Sequence, residues 1–528
     1  MILKYILLSI LILALIVPII LQHVFEIHIF ATEYFTFTIY GLYMLCYLLL
    51  QFIFSIMNNI TKTKQAALKN DTLEMAQQPV YNVLVVGYRE NPNYFRNCLN
   101  SIKHLSFHKL YVVIDGCMEE DQYMVDIVKE VFLDTCCHII LDQLKFNLDL
   151  VTIKEKLSLI NPCCNVVCIS QPHSGKRNVM YTGFYLSITN DPQAKYIVCT
   201  DSDTILDSRS ASLMCNLMSR SESIGGIAGN LGIFDKYSSF ITFMSSIRYW
   251  FAFNVERAYQ SYNNYVLCIS GPIGLYHTSI LEKVMDDWKT QMFLGQQCTY
   301  GDDRHLTNKI LSQGYQVMYL PSARALTETP STIYTFYKQQ TRWSKSAYRE
   351  MLWTVSSVHK HSVFMSVDLT YTLLYPFFVM GYLLYVLYAG SAHELALYLS
   401  IIMFFGLIKS MYGAILGNSE NIFYFAYTLV YLCVVFPAKL WALLTLTDIS
   451  WGTPFRKTLV FSSLNIQADA ICLVVWNLTL LGGLAFNCAR NANETTFLMV
   501  ILLIWIVLFV GVYCYTYLKK YNSNKKLM

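Results

Sequence analysis

Charged residues are scarce in this sequence, and neither sign dominates. They make up 14% of the 528 residues, against about 25% in an average soluble domain, and the formal net charge is only +4. A charge this small for the length gives no reason to expect a nucleic acid partner. The hydrophobic share of 55% and the mean hydropathy of +0.39 instead predict an integral membrane protein with a soluble part.

Three familiar signatures are also missing. The 16 cysteines show no paired zinc spacing, and several lie inside apolar runs, so we expect reduced thiols that face a cytosol. No GxxxxGK[ST] loop occurs, which counts against a motor or a transport ATPase. The start, MILKYILLSI, resembles a signal peptide, but no small-residue cleavage site precedes the next apolar run. We therefore expect it to be a membrane span.

Apolar runs of the length that a bilayer requires, roughly 20 residues, lie on both sides of a more polar region. Two precede it and five follow it, at residues 3–21, 34–57, 369–388, 395–416, 422–446, 470–486 and 497–518. Lys62, Lys64 and Lys69 follow the second run, which predicts a cytosolic linker and a cytosolic domain after it.

The basic tail after the last run limits the number of membrane crossings. Five crossings after a cytosolic domain would put this tail outside, against the positive-inside tendency. One segment must then not cross, and we choose residues 422–446, because Pro437 and Lys439 interrupt it. About six spans and one interfacial or re-entrant segment are expected.

Between the two groups of runs, short β-branched segments alternate with helical stretches, which is typical of an α/β domain with a mostly parallel sheet. The clearest strands are at residues 81–86, 109–114, 166–169 and 196–199. Ligands of such sheets bind beyond the carboxyl ends of the strands. This rule selects six polar residues: Tyr88, Arg89, Glu90, Asp115, Asp201 and Asp203.

Two motifs in this domain could hold a nucleoside diphosphate. In Asp201-Ser202-Asp203, one carboxylate could face the ribose and the other could bind Mg²⁺ or Mn²⁺, although such triplets are also common turn formers. The segment HSGKRN opens a predicted helix, where Lys176 and Arg177 could pair with phosphate. A solvated helix start is the alternative.

The segment from 298 to 343 contains the candidate catalytic groups. Asp302 and Asp303 of GDDRHLTN could supply a general base, or they could form a surface cluster with Arg304. In QQTRW, which we expect on a helix, Arg342 could pair with phosphate and Trp343 could stack on a sugar. An amphipathic helix with a buried tryptophan is the alternative.

The loop WGTPFRK at Trp451 has an aromatic tip and basic residues. It could close over a bound nucleotide or anchor the chain at the membrane surface.

In chain order, the motifs DG, DSDT, SGPIGLY, GDDRHLTN, QQTRWSKS and WGT resemble those of the hyaluronan synthases, in particular the form encoded by algal viruses. The match covers nearly the whole chain, whereas cellulose synthases share only scattered aspartates and QxxRW. The resemblance implies a processive family 2 glycosyltransferase with a cytosolic GT-A domain. It also implies UDP-GlcNAc and UDP-glucuronic acid as donors, Mn²⁺ or Mg²⁺ as cofactor, and passage of nascent hyaluronan through the enzyme's own channel in the lipid bilayer. We expect a monomer to suffice.

The same resemblance assigns roles to residues of the matching motifs. Asp115 and Asp201 would contact the nucleotide, and Asp203 the metal. Asp303 would be the base, with Asp302 beside it. Gln339, Arg342 and Trp343 would line the junction of the donor diphosphate and the acceptor sugar. Cys298 would lie near the acceptor terminus, and the loop at Trp451 would gate the site. Pro454 and Phe455 depart from the family pattern after WGT, so the gate could move differently here.

Together these inferences predict an inverting transferase domain inserted in a helical membrane bundle. The expected parts are two membrane helices (1–58), a basic linker (59–78), the GT-A domain (79–332), interfacial helices with QxxRW (333–362), two membrane helices with the re-entrant segment (363–450), a gating loop (451–457), two membrane helices (468–518) and a basic cytosolic tail (519–528). Two rivals stay open: a chitin- or cellulose-type synthase that uses one donor, and a transporter with a nucleotide-sensing domain.

Overall fold

The computed structural model describes residues 35–67, 80–133, 136–141, 164–448 and 468–527. The first predicted span, most of the basic linker and the loop at Trp451 lie outside these described residues. Predictions about them are therefore not tested by the fold.

The soluble part is built around a sheet of nine strands, with a separate two-stranded hairpin. The strands are β1 (Tyr81–Gly87), β2 (Leu110–Ile114), β3 (Cys136–Ile140), β4 (Val166–Ser170), β5 (Tyr196–Asp201), β6 (Ile205–Leu206), β7 (Ile224–Ile233), β8 (Gly274–His277), β9 (Met292–Phe293), β10 (Gln296–Gln297) and β11 (Gln316–Thr327).

The order of the large sheet is β3-β4-β2-β1-β5-β8-β7-β11-β6. Strands β3, β4, β2, β1 and β5 pair in parallel, β8 is antiparallel to both neighbours, and β11 is parallel to β7. The mostly parallel sheet and the four predicted strands are confirmed. Every residue of β2 and β4 is buried, as expected where helices cover both faces of a parallel sheet.

The helices up to the membrane part are α1 (Phe35–Ala67), α2 (Pro92–Ile102), α3 (Gln122–Phe132), α4 (Lys176–Asn190), α5 (Ser210–Met218), α6 (Phe240–Phe251), α7 (Ala258–Tyr262), α8 (Thr278–Lys289), α9 (Asp302–Ser312) and α10 (Ile333–Ser357). A π-helical turn, Ala252–Arg257, joins α6 to α7. HSGKRN opens α4, GDDRHLTN opens α9 and QQTRW lies within α10, as the sequence predicts.

The remaining helices are α11 (Val363–Tyr388), α12 (Ala392–Leu416), α13 (Tyr424–Val430), α14 (Phe436–Leu444), α15 (Ala468–Arg490) and α16 (Thr495–Leu527). By length and composition, five segments of the described residues could cross a membrane: Val363–Tyr388, Ala392–Leu416, Ser419–Leu444, Asp469–Arg490 and Ala492–Asn522. This confirms a multi-pass membrane protein whose α/β domain precedes the apolar helices.

The third of these segments is the one that we expected not to cross. It is long enough to do so, but a π-helical turn, Tyr431–Val435, interrupts it directly before Pro437. An interior proline removes a backbone hydrogen bond and clashes with the preceding turn, which accounts for the interruption. That the segment does not cross stays a prediction.

One expectation about cysteine is wrong. Cys137 in β3 and Cys164 before β4 form a disulfide across neighbouring parallel strands, although reduced thiols were expected throughout. The register pairs Cys137 with Val167, so Cys164 reaches Cys137 from the segment that precedes β4, and no spacing rule in the sequence predicts that contact. The other cysteines of the described residues are free.

Candidate active site

A single cavity of about 2770 Å³ joins the soluble domain to the membrane helices. It begins at the carboxyl ends of β1, β2 and β5, passes the start of α9 and one face of α10, and continues between α11, α12 and α13. All described candidate residues line it: Tyr88, Arg89, Glu90, Asp115, Lys176, Asp201, Asp203, Cys298, Asp302, Asp303, Gln339, Arg342 and Trp343. The ends of three parallel strands meet at one sheet edge, which explains this convergence.

The three residues after β1 make different kinds of contact. The Tyr88 ring stacks on the His173 ring, with centroids 4.3 Å apart. Arg89 Nε donates to Asp121 Oδ1 at 2.8 Å, so its guanidinium is held at the short helix after β2. Glu90 is buried and accepts a 2.9 Å hydrogen bond from the Ser202 hydroxyl, so it fixes the Asp201-Ser202-Asp203 turn.

Asp115, directly after β2, shapes the loop that begins α4. Its carboxylate accepts hydrogen bonds from the backbone N–H groups of Ser174 and Gly175, at 2.8 and 3.0 Å. It also lies 2.9 Å from His173 Nδ1. Burial raises the pKa of the Asp115 carboxyl, and these partners oppose the shift. The structure thus gives Asp115 a loop-holding role at the rim beside Tyr88.

Lys176 and Asp201 form an ion pair across the mouth of the sheet, with Nζ 2.5 Å from Oδ1. Burial alone lowers the pKa of Lys176, but the nearby carboxylates outweigh it and raise the pKa overall. Gly271, in SGPIGLY, lies against this pair: a Cβ there would be 2.9 Å from Lys176 Nζ and 3.0 Å from Asp201 Oδ2. A side chain at this position would push the Lys176 ammonium aside and crowd the Asp201 carboxylate.

We expect the Gly271→Ala variant to lose activity through this displacement. A shift of about 1 Å at a reacting centre can lower kcat/KM by roughly 100-fold. The contacts at Gly271 require a smaller shift, so we expect a loss of about tenfold in UDP-release assays. Gly511→Ala is the matched control, because a Cβ at Gly511 in α16 meets nothing within 4 Å. Equal activity of the two variants would mean that the ion pair does not need its present position.

The acidic pair of GDDRHLTN is divided between two environments. Asp302 is buried, and its Oδ1 accepts a 2.6 Å hydrogen bond from Arg177 Nε. The Trp288 indole N–H donates to the Asp302 carbonyl at 2.8 Å. Asp302 therefore anchors α9, and its contact with Arg177 Nε holds the Arg177 guanidinium at the start of that helix.

Asp303 is partly exposed and lines the cavity. Its carboxylate accepts from the backbone N–H of Arg304 at 2.9 Å, and the Cys268 thiol lies 3.6 Å from Oδ2. Burial and the Asp303 charge raise the pKa of Cys268 to about 12, so the thiol can donate to the carboxylate. Of the two aspartates, Asp303 is the one that can accept a proton from a bound molecule.

The start of α9 needs a glycine. Gly301 has φ +87°, and a Cβ there would collide with Ser346 of α10. Both the left-handed backbone and the close approach to α10 require its missing side chain. This contact sets the distance between Asp303 and the QQTRW face.

One face of α10 carries Gln339, Arg342 and Trp343 along the cavity, as residues three and four apart do. Gln339 Oε1 is buried and accepts no hydrogen bond from the described residues. Burial lowers the pKa of Arg342, and the carboxylates of the two motifs oppose the shift. The Trp343 ring is 37% exposed, so it offers a face to the cavity instead of the buried packing of the alternative interpretation.

A buried polar network behind this face was not foreseen from the sequence. Glu350 of α10 accepts hydrogen bonds from Asn308 Nδ2 at 2.8 Å and Gln291 Nε2 at 2.7 Å, and lies 3.0 Å from His305 Nδ1. His305 and Asn308 are three residues apart in GDDRHLTN. This spacing puts both on one face of a helix and was the feature of the sequence that could have indicated a shared partner. The network locks α9 to α10.

Cys298 is buried beside this network and lines the cavity. Its backbone N–H donates to the Gln291 carbonyl at 3.0 Å. A position near the acceptor terminus stays a prediction. Trp451 lies outside the described residues. Its gating role stays a prediction.

No group of three or more His, Cys, Asp or Glu among the described residues could hold a metal ion alone. Mg²⁺ and Mn²⁺ commonly use one or two carboxylates together with phosphates of the substrate. Asp203, with Asp201 two residues away at the same sheet edge, fits that mode of binding.

The chain is similar to known glycosyltransferases over most of its length. Residues 155–346 match the family model described as Glycosyltransferase like family 2. Hyaluronan synthase 3 of Xenopus laevis is 40% identical over 417 residues, which cover 78% of this chain and 73% of that relative.

Two human proteins are also similar to this chain over most of its length. Hyaluronan synthase 3 of Homo sapiens is 37% identical over 484 residues (88% of this chain, 85% of the relative). Hyaluronan synthase 2 of Homo sapiens is 36% identical over 481 residues (87% and 83%). Among solved structures, the mannosyltransferase PcManGT from Pyrobaculum calidifontis in complex with GDP-Man and Mn²⁺ is 13% identical with a TM-score of 0.40, covering 81% of this chain and 95% of that chain. The family model supports the GT-A fold expected for the α/β domain.

Proposed function

Because this chain belongs to the hyaluronan synthases, a family of glycosyltransferases, we propose that it transfers GlcNAc and glucuronic acid alternately from UDP-sugars to a growing β-linked polysaccharide. The product, nascent hyaluronan, then passes through the same molecule across the bilayer. One observation carries the proposal: the cavity that contains Asp303 continues without a break between the membrane helices. A transferase that released its product to the cytosol would not need that continuation.

The donor nucleotide would lie at the carboxyl ends of β1, β2 and β5. The stacked pair of Tyr88 and His173 offers an aromatic surface for uracil, next to the loop that Asp115 holds. The diphosphate would lie near Lys176 and Arg342, whose charges complement it. In this arrangement Lys176 exchanges part of its contact with Asp201 for phosphate.

A divalent cation, Mn²⁺ or Mg²⁺, would be held by Asp203 with help from Asp201 and the donor phosphates. When bound, such an ion neutralises the charge that develops on the leaving diphosphate. The fit rests on the oxygen-rich donor set at the sheet edge.

The proposed transfer is a single displacement with inversion. Asp303 removes the proton from a hydroxyl of the terminal sugar, and the oxygen attacks the anomeric carbon of the donor. The bond between that carbon and the UDP oxygen breaks, and UDP leaves with the electron pair. Lys176 and Arg342 stabilise the departing diphosphate because they are already in place and partly buried.

The acceptor sugar would lie over α10. Trp343 can stack on one face of the ring, and the unpaired Gln339 Oε1 can accept a hydrogen bond from a sugar hydroxyl. Cys298 would lie near the acceptor terminus. We propose that a monomer is active, with the α/β domain in the cytosol where UDP-sugars are available.

Metal removal tests the proposed cation site. We expect chelation of the purified protein to abolish UDP release and Mn²⁺ to restore it. Asp203→Asn should raise the Mn²⁺ concentration for half-maximal activity by at least about tenfold, while Asp207→Asn, in the exposed turn after β6, should not. An unchanged Mn²⁺ dependence in Asp203→Asn would refute the assignment of Asp203.

The decisive experiment for the function is UDP release by purified protein in detergent with Mn²⁺. UDP-GlcNAc alone, UDP-glucuronic acid alone and both together are compared, and the product is tested with hyaluronidase. We expect sustained turnover only with both donors and a digestible polymer. Sustained turnover on UDP-GlcNAc alone would instead indicate a chitin-type synthase, and no turnover under any condition would favour the transporter.

A further inference from the structure

Glu350 of α10 meets three buried side chains from two other parts of the chain. Its Oε1 lies 2.7 Å from Gln291 Nε2 and 3.0 Å from His305 Nδ1, and its Oε2 lies 2.8 Å from Asn308 Nδ2. The four residues, which we call the Glu350 network, are only 3–6% exposed. Because an ionised carboxylate can only accept hydrogen bonds, the His305 ring must carry its proton on Nδ1.

The Glu350 network joins the helix of the proposed base to the helix of the proposed acceptor site. His305 and Asn308 lie on α9, whose first turn carries Asp303. The acceptor face of α10 ends at Trp343, two helical turns before Glu350. A change in the spacing of the two helices therefore changes the distance between the base and the acceptor hydroxyl.

The other side of α9 is attached to the α/β domain by separate contacts. Arg177 Nε donates to Asp302 Oδ1 at 2.6 Å, and the backbone N–H of Ile269 donates to Thr307 Oγ1 at 2.8 Å. These contacts hold α9 on the side where the donor is proposed to bind. Loss of the Glu350 network should leave them intact and release α9 only from the acceptor side.

A purely structural role accounts poorly for the composition of this network. Apolar side chains of similar volume often stabilise a buried contact as well as a charged group does, because a buried carboxylate has lost its hydration. Hydrogen bonds differ from apolar contacts in fixing both a distance and a direction. That property matters where two helices must hold reacting groups in a narrow range of positions.

We propose that Glu350 is a positioning residue for sugar transfer: through His305 and Asn308 it sets the place of Asp303 relative to the acceptor on α10. The inference rests on the proposed function and adds the residues that keep base and acceptor in register. None of the four residues of the network lines the cavity, so Glu350 acts through α9 and not by touching a sugar. The rate of transfer depends on it, and donor binding does not.

The Glu350→Gln variant tests this role because its amide must present one N–H group to a donor of the network. We expect kcat, measured as UDP release per folded protein with both donors saturating, to fall about tenfold as the base shifts. Titration with UDP should give a dissociation constant within about twofold of the wild type. Glu282→Gln, at an exposed position of α8, is the control and should keep the kcat of the wild type.

An exchange of polarity separates positioning from simple loss of a side chain. Asn308→Asp alone places a second carboxylate against Glu350, and the repulsion should also lower kcat. In the Glu350→Gln/Asn308→Asp variant, the amide at position 350 can donate to the carboxylate at 308, and its oxygen can accept from Gln291 and His305. We expect kcat of this double variant to return to within about threefold of the wild type.

Several results would overturn the proposal. A wild-type kcat in Glu350→Gln would leave the network a structural role only, and a loss of UDP affinity equal to the loss of kcat would place the defect at the donor. A double variant as slow as the slower single variant would also contradict it. If Glu350→Gln does not fold, Asn308→Ala replaces it and should lower kcat about threefold, and a wild-type kcat there would be equally decisive. A wild-type protein that makes no polymer from both donors would instead refute the proposed function.

Discussion

Asp303→Asn should lower the rate of sugar transfer by about 100- to 10,000-fold, the usual contribution of general-base catalysis. The amide is nearly isosteric: its oxygen can still accept from the Arg304 N–H, and its NH2 group can donate to the Cys268 sulfur. It cannot take a proton from the acceptor hydroxyl. Single-turnover UDP release gives the rate, and titration with UDP measures donor binding, which should stay close to the wild-type value.

The matched control for this variant is Asp287→Asn. Asp287 lies in α8, its side chain is 77% exposed, and it makes a long ion pair of 3.7 Å with Lys309, so activity should be unaffected. An Asp303→Asn protein with the rate of the wild type would exclude Asp303 as the base. Together with undiminished activity in vivo, it would favour a transporter over a synthase.

Arg177→Met should destabilise the soluble domain by about 3–5 kcal/mol, because it leaves the buried Asp302 carboxylate without its partner. That is a large part of the roughly 5–15 kcal/mol by which a domain is stable. Thermal unfolding in detergent, with activity measured below the transition, separates loss of stability from loss of chemistry.

Two further variants sharpen this prediction. Arg96→Met removes a similar contact of 2.8 Å to Glu130, but the side chains are 35% and 60% exposed, so the cost should be no more than about 1 kcal/mol. Arg177→Met/Asp302→Leu removes both charges and should recover most of the lost stability. If the double variant is as unstable as Arg177→Met, the ion pair is not what anchors α9.

The general architecture followed from the sequence with little ambiguity. Apolar runs of about 20 residues have few alternatives to membrane helices, and β-branched segments that end in polar residues indicate buried parallel strands. Strands β3, β6, β7, β8 and β11 of the large sheet were missed. Two of them, β7 and β11, are long, and the pairing of all five depends on distant partners. The Cys137–Cys164 disulfide likewise depends on a contact between segments that are 27 residues apart.

The candidate site was predictable as a set of residues, but the division of labour within it was not. The rule for strand ends selected Asp115, Asp201 and Asp203. It could not show that Asp115 holds a loop, or that Asp302 is buried against Arg177 while Asp303 faces the cavity. Those differences depend on which neighbour each carboxylate meets.

The sequence by itself therefore determined the class of the protein, its membrane helices, its sheet and its family, since these depend on local composition and on motifs read along the chain. Only the tertiary structure showed that Asp302 is buried against Arg177 while Asp303 lines the cavity beside Cys268, and why Gly301 has no side chain. The physical reason is distance: burial, ion pairing and ring contact require atoms within a few ångströms of each other, and the groups concerned are up to 125 residues apart in the chain, as Arg177 and Asp302 are.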